Sequence, residues 1–460
     1  MNIPLLLLKY LEFRTNARRT PQEFSERRLR KFRRFVRFVN SRSPYYARII
    51  RERGIDISTC VPESFPVLTK RTLMEHFNDI VTTPALTKEG IADFLTRSTD
   101  PSERYKGKFV VLHTSGSSGE IGYFVYSRSD WSRGYAQFSR LHTFSFRRRR
   151  AAYFGATQGH FAGVTLFLTC GRSLLKLLYR AEIFEINGPL QPVLDRLNAL
   201  QPDILSGYPS GLLALARKQL DGELRVAPSF TDTGGEPLSP DARHVIEKAF
   251  PVPLLDLYAS TEHLLMAMTN PRQGGMFLLE DDLIFELHPD HTCVTNLFNR
   301  TLPLIRYRME DVLQAIPDAD RLLPYTRVKD LVGRMEQALV FTNRHGSEDF
   351  ICPIIIVEFH VRNLRRFQLR LLNRSSFLFR ACLEKGLETK EREEVFRDIR
   401  MKLQEILSQK EMDNVTFDIE EVDDLQVDPK TGKFRLIAST ISEVTPSKSS
   451  HALGQIKPYT

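Results

Sequence analysis

The sequence predicts an α/β protein, a large layered α/β domain followed by a small α+β domain. Three observations predict it. From about residue 108, short apolar runs ending in Gly/Ser loops alternate with helical stretches. After Gly333-Arg334 the rhythm changes: apolar runs at 354–361 and 415–419 flank a strongly charged helical segment, 388–411. A chain of 460 residues also exceeds one ordinary core. Strands alternating with helices bury a sheet between helical layers. The boundaries fall at 1–335 for the large domain and 336–446 for the small one, with 447–460 a polar tail.

The first element begins MNIPLLLLKYLEF, whose apolar run at 4–8 is cut by Lys9 and Glu12. It is too short for a signal core and has no basic region ahead of it. No segment approaches the roughly 20 apolar residues that a membrane span needs. Next, Leu29, Phe32, Phe35, Val36 and Val39 recur at helical spacing with arginines on the other face. Such a basic helix either packs one stripe on the core or binds a membrane surface or nucleic acid; the packed surface helix is the expected state. It should stop near Ser43-Pro44. Residues 109–112 then read as a buried strand, and 209–220 and 240–250 as helices.

Composition narrows the class. With 42% hydrophobic and 26% charged residues the chain is globular, neither disordered nor fibrous. A net charge of +9 favours anionic partners and suits a polyanionic small molecule, though charge alone does not choose among anions. The five cysteines (Cys60, Cys170, Cys293, Cys352, Cys382) are scattered, with no CxxC pair. Neither a disulfide framework nor a thiolate zinc site is expected, and a reducing, cytoplasmic setting is the simpler reading.

Chemistry first shows at residues 109–122, FVVLHTSGSSGEIG, where an apolar strand runs straight into Thr114, Ser115, Gly116, Ser117, Ser118 and Gly119. Phosphate oxygens need many donors at once. Glycines allow the tight path, and successive N–H groups with Ser/Thr hydroxyls form an anion nest. No Gly-Lys-Ser/Thr follows, so this is not a Walker loop. The competing reading is a polar turn between a strand and a hairpin.

HTSGSSG resembles the TSGSTG signature of the adenylate-forming superfamily of acyl-CoA synthetases, amino-acid-activating domains and luciferases. Other blocks follow in that superfamily's order. FTDTGGEP (230–237) resembles the turn against the adenine ring, which implies nucleotide contacts for Gly234, Gly235, Glu236 and Pro237. Paired glycines permit the close backbone approach such a contact requires. YASTE (258–262) resembles YGxTE, with Ala259 in place of glycine. The resemblance implies that Tyr258 stacks on adenine, Thr261 meets the α-phosphate and Glu262 helps hold Mg²⁺, a hard ion content with one carboxylate plus phosphate oxygens. LPLIRYRMED (302–311) is similar to a stretch of the phenylacetate-CoA ligase and deazaflavin-coenzyme synthetase branch, making Asp311 the ribose acceptor. RVKDLVGR (327–334) offers Arg327 as a second ribose or phosphate contact. DPKTGKFR (428–435), two residues shorter than the family's form, makes Lys433 the lysine bridging the substrate carboxylate and the α-phosphate.

SPYYARIIRERGID (43–56), FPVLTKRTLMEHF (65–77) and LSGYPSGLLALA (205–216) also resemble that branch, so the likeness spans roughly 40–440. It implies acyl-pocket roles for Tyr208 and for His160, the latter equally readable as structural. One departure matters: the usual lysine after the phosphate loop is replaced by Glu120-Ile121-Gly122. The Arg147–Arg150 run is a candidate compensating cation, or else an ordinary solvated loop.

The resemblance implies ATP- and Mg²⁺-dependent activation of a small aromatic or aliphatic carboxylic acid as its acyl-AMP. Transfer to a thiol of coenzyme A, or of a carrier protein's phosphopantetheine, would follow, and the resemblance implies that the small C-terminal domain is mobile. The alternatives are an adenylyltransferase that leaves AMP on the acceptor, and a degenerate member with a binding role. Nucleic acid is not an expected partner, and the oligomeric state is not readable from the sequence.

Overall fold

The computed structural model describes residues 1–114, 121–141, 147–172, 174–269, 274–317, 323–329, 338–357, 359, 361–425 and 436–439. The chain divides into two units. One comprises Met1–Ala338, Asp349–His360 and Ser408–Glu411; the other comprises Leu339–Glu348, Val361–Leu407 and Met412–Thr460. The chain therefore passes between the units several times, rather than once after 335. The predicted α/β class is the one observed.

The first unit is organised by an eight-stranded sheet. Its strands run in the order Arg327–Val328, Met276–Leu278, Leu264–Thr269, Leu254–Ser260, Phe230–Gly234, Ile204–Gly207, Arg149–Gly155, Tyr179–Glu185. The last five are mutually parallel. The first three add antiparallel. Parallel strands need long returns, and the helices Leu190–Leu200, Pro209–Leu220 and Pro240–Ala249 supply them. Their buried stripes are Val193, Leu194, Leu197 and Leu200 on the first, and Leu212, Leu215 and Ala216 on the second. The central strand Ile204–Gly207 is buried along its whole length, as a strand covered on both faces must be.

Two smaller sheets complete this unit: the hairpin Val110–His113 with Tyr123–Tyr126, and the antiparallel trio Leu283–Leu287, Thr292–Asn296, Leu304–Met309. Both feed one large core. There Val111, Phe124, Phe298, Leu304 and Tyr307 join the apolar stripe of the basic helix, which runs Pro21–Asn40. Phe32, Val36 and Val39 on that helix are fully buried. It ends at Asn40, and a new helix starts at Pro44, as the Ser43-Pro44 signal predicts.

Part of the basic face of the N-terminal helices is paired inside the protein, while Arg30, Arg34 and Arg37 are exposed. Lys9 meets Asp282 at 2.8 Å, and Lys31 pairs with the same carboxylate. Arg28 pairs with Glu280, while Arg140 and Asn16 hold Asp281. Glu280-Asp281-Asp282 thus docks the helices Ile3–Asn16 and Pro21–Asn40. The apolar stripe of the basic segment is packed on the core, as expected.

The second unit contains a four-stranded sheet, Thr416–Glu421, Ser376–Leu383, Leu364–Asn373, Ile437–Ser439. The predicted charged helix is Thr389–Gln409, with Val395, Ile399, Leu403 and Leu407 buried at i, i+4 spacing. The apolar run at 354–361 begins with a short helix, Pro353–Val357, in the first unit.

Candidate active site

The strand Val110–His113 delivers the chain into the Ser/Gly loop, and Thr114 closes the loop's neck. Its N–H donates to Gly122 O at 3.0 Å, and Gly122 N–H donates back to Thr114 Oγ1 at 2.9 Å. Ser115, Gly116, Ser117, Ser118 and Gly119 lie outside the described residues, as does Lys433.

A side chain that the motifs do not point to stands at this neck. A Cβ built on Gly122 would fall 3.0 Å from Lys70 Cε and 3.2 Å from Thr114 Oγ1. Lys70 opens the helix Lys70–Glu75, which Thr69 caps by accepting from Thr72 N–H at 3.1 Å. Its positive charge also reaches Glu262, whose carboxyl it helps to keep ionised. No sequence spacing links residue 70 to residues 114 or 262; only the fold does. The Arg147–Arg150 run, by contrast, lies at the N-terminal end of the strand Arg149–Gly155. There Arg150 and Arg147 pair with Asp203, at 3.3 and 4.0 Å.

The parallel strands end together, and their C-terminal ends carry the next predicted residues. Gly234 finishes its strand against the neighbouring backbone: a Cβ there would lie 2.7 Å from Leu257 O. Gly235 follows with φ +87°, and its Cβ would press the Tyr208 ring at 3.1 Å. Tyr208 is itself buried and starts the helix Pro209–Leu220. Glu236 turns its carboxylate to that helix, accepting from Ser210 N–H at 3.0 Å, from Ser210 Oγ at 3.1 Å and from Cys352 Sγ at 3.3 Å. A carboxylate there complements the helix dipole. Pro237 leads on toward the helix Pro240–Ala249.

On the adjacent strand, Tyr258 donates its hydroxyl to Asp311 Oδ2 at 2.8 Å. Burial, and then the Asp311 charge, push the Tyr258 phenol well above its ordinary value. Two separate motifs, 53 residues apart, thus meet through one hydrogen bond. Just beyond, Tyr126 donates to the carbonyls of Thr261 and Glu262 at 2.7 and 2.9 Å, fixing that turn to the hairpin that flanks the Ser/Gly loop. The Glu262 side chain is buried, with Tyr307 Oη 3.4 Å away. Burial raises its pKa, and bonds to Ser260 and Tyr307 together with the Lys70 charge offset this only in part.

The other two predicted residues are placed differently. Arg327 is on the outermost strand, in the row Arg327, Phe277, Met268, Leu257. Three strand spacings, roughly 14 Å, separate its backbone from the strand of Tyr258. His160 is buried, its Nε2 3.1 Å from Ser98 Oγ and its ring 4.9 Å from that of Phe94. Burial holds the imidazole neutral by lowering its pKa. Its carbonyl accepts from His113 N–H at 3.3 Å, so the backbone of His160 braces the strand that leads to the loop.

Asp232, in the FTDTGG stretch, carries a further perturbed carboxyl. Burial pushes its pKa up to about 6, against a 2.6 Å bond from Ser206. A raised folded-state pKa means the native protein binds the proton more tightly than the unfolded chain does. Stability from this group is therefore full below pH 4 and is lost as pH rises to 6. Asp232→Asn should raise stability at pH 8 by up to about 3 kcal/mol and change it little at pH 4, read from urea melts at both. Equal effects at the two pH values would refute this.

No family model matches the chain. The curated protein CapK of Staphylococcus aureus is 24% identical over 310 residues, covering 62% of this chain. The chain spans 61% of the length of that relative. Among solved structures, 2-hydroxyisobutyryl-CoA ligase with 2-HIB-AMP and CoA in the thioesterification state aligns with a TM-score of 0.62 at 17% identity, over 93% of this chain and 91% of that one. The open conformation of the same ligase gives a TM-score of 0.56 at 16% identity, over 91% and 92%. At such identities the likeness establishes architecture, and the chain has the fold of 2-hydroxyisobutyryl-CoA ligase.

Proposed function

We propose that the chain is an ATP-dependent acid–thiol ligase that activates a small carboxylic acid as its acyl-AMP and passes the acyl group to the thiol of coenzyme A. The observation that carries the reading is the meeting of separate motifs at one end of the parallel sheet. The Thr114–Gly122 neck, Lys70, Glu262 and the Tyr258–Asp311 pair are tied together by the contacts above. The shared fold with a ligase whose structures hold an acyl-AMP and CoA supports it.

A carboxylate oxygen of the acid attacks the α-phosphorus of ATP, the α–β bridging P–O bond breaks, and pyrophosphate leaves with that electron pair. The proposed cradle for the leaving phosphates is Thr114 to Gly119, and Lys70 meets their charge. Tyr258 and the Gly234-Gly235 turn enclose the base, and Asp311 accepts from the ribose hydroxyls. Glu262 suits a site for Mg²⁺, which asks for one carboxylate and takes its other ligands from phosphate and water. Lys433 is the proposed bridge between the carboxylate and the α-phosphate. The thiol sulfur then attacks the acyl carbon, its proton passes to solvent, and the acyl C–O bond to the phosphate breaks to release AMP. We assign a small aromatic or aliphatic acid as substrate, on the resemblance to the phenylacetate-CoA ligase branch.

Pyrophosphate exchange against an acid panel, followed by mass analysis with coenzyme A, tests the reading. Exchange stimulated by one acid and an acyl thioester product are expected. A stable AMP conjugate would indicate adenylyl transfer instead, and exchange with no acid would remove the enzymatic reading. Asp311→Ala should weaken ATP binding by about 1.5–3 kcal/mol, on the scale of a hydrogen bond to a charged group, seen as a raised KM for ATP. Unchanged ATP affinity would remove Asp311 from the nucleotide site. Among the described residues no helix is long and apolar enough to cross a membrane.

A further inference from the structure

The hairpin joining Leu283–Leu287 to Thr292–Asn296 gathers two imidazoles and a thiol. Leu287 pairs with Thr292 and Glu286 with Cys293, and the turn is closed by His288 N–H donating to His291 O at 3.0 Å. Side chains alternate along each strand and cross-strand partners share a face, so His288, His291 and Cys293 emerge on one side. The two rings stack, with centroids 4.4 Å apart and planes at 14°. One ligand atom from each of the three residues lies within 4.8 Å of the others.

Two further observations point to a ligand. His288 Nε2 is buried with no hydrogen-bond partner among the described residues. An orphaned buried ring nitrogen costs about 1–3 kcal/mol unless something engages it. His291 Nδ1 is 2.8 Å from Asp290 Oδ1, the carboxylate–imidazole arrangement that orients metal-bound histidines and frees the other nitrogen. Cys293 is fully buried and is a free thiol.

We propose that His288, His291 and Cys293 form a binding site for a borderline-soft divalent transition metal of the zinc class. Two imidazoles and a thiolate disfavour Mg²⁺ and Ca²⁺, which prefer oxygen. Tetrahedral zinc with these ligands sets its donors roughly 3.3–3.7 Å apart, so side-chain shifts of about 1 Å complete the site. The Cys293 proton passes to solvent on binding, and water takes the fourth position, because Arg306 already holds the neighbouring Glu286 at 2.7 Å. Cys293 also pairs with Arg308 on the strand that runs on to Asp311. Metal there would pin the strand from which the nucleotide-site carboxylate extends. The site stands on its own residues and does not depend on the ligase reading.

Full-length protein stripped with EDTA and titrated with Co²⁺ tests it. The expected result is a thiolate-to-cobalt charge-transfer band that saturates at one equivalent, is displaced by Zn²⁺ and is untouched by excess Mg²⁺. Cys293→Ser should abolish the band, whereas Cys60→Ser and Cys382→Ser should leave it. His288→Gln, at a partly exposed position, should weaken Co²⁺ binding at least tenfold with an unchanged circular dichroism spectrum. A band that survives Cys293→Ser, or no band at one equivalent, overturns the site. Should Cys293→Ser fail to fold, unchanged affinity in His288→Gln overturns it alone.

Discussion

A Lys70→Ala protein is expected to lose pyrophosphate exchange by about 10²–10³-fold while folding normally, the scale on which removing one preorganised charge acts. Lys70 is a described cation at the neck of the Ser/Gly loop, where the sequence offers Glu120-Ile121-Gly122 in place of a lysine. It comes from a helix 44 positions upstream of Thr114, and on the proposed function it stands in for a lysine within the loop. Negative charge grows on the leaving pyrophosphate in the transition state, so the loss should fall mainly on kcat, with Lys70→Arg recovering part of it. A second readout separates this role from a structural one. The Lys70 charge opposes the burial that raises the Glu262 pKa, so its removal should lift that pKa further. The acid limb of the pH profile then moves to higher pH, because the carboxylate is protonated earlier on acidification. Unchanged exchange and an unmoved acid limb would place the phosphate cation elsewhere.

Legibility in the sequence followed locality. Residues 110–113 and the helix 209–220 are readable because an apolar run or a 3.6-residue stripe states its own structure, and the basic helix because its apolar stripe outweighs its arginines. The Tyr258–Asp311 contact is reached only through the resemblance, since nothing in the 52 intervening residues announces that the two segments converge. Lys70 is silent for the same reason. The Arg147–Arg150 run shows the opposite failure: it is conspicuous as charge, yet charge does not say which end of a strand it occupies, and Asp203 takes it at the far end. His160 and Glu236 are visible as polar residues beside glycines. Their partners, Ser98 and the Ser210 helix terminus, are set by packing. The cysteine spacing hides Cys293 because its neighbours of interest are histidines. The return of Asp349–His360 to the first unit is equally unreadable, since an apolar run does not say which core it joins.

Asp282→Ala is expected to cost about 3–5 kcal/mol of stability, the price of leaving buried charge without its counter-ion. Asp282 is completely buried and accepts from Lys9 at 2.8 and 2.9 Å and from Lys31 as well. Glu12, on the rim, reaches the same two lysines at 2.9 and 3.2 Å but is too exposed to replace it. Burial alone would raise the Asp282 pKa; the Lys31 and Lys9 ammoniums outweigh it and hold the carboxyl well below the usual range. A depressed folded-state pKa gives stability that is fully present above the unfolded value near pH 4 and is lost as pH falls toward the folded one. Wild type should therefore weaken on acidification below pH 4, and Asp282→Ala should be less sensitive across that window. Urea melts from pH 7 to pH 3 measure both. Because the penalty lies in the orphaned ammoniums, a triple variant with Lys9→Met, Lys31→Met and Asp282→Leu should regain most of what Asp282→Ala loses. If the triple variant is no more stable than Asp282→Ala, the charge cluster is not what docks the N-terminal helices. The apolar stripe of Phe32, Phe35, Val36 and Val39 would then carry the attachment by itself.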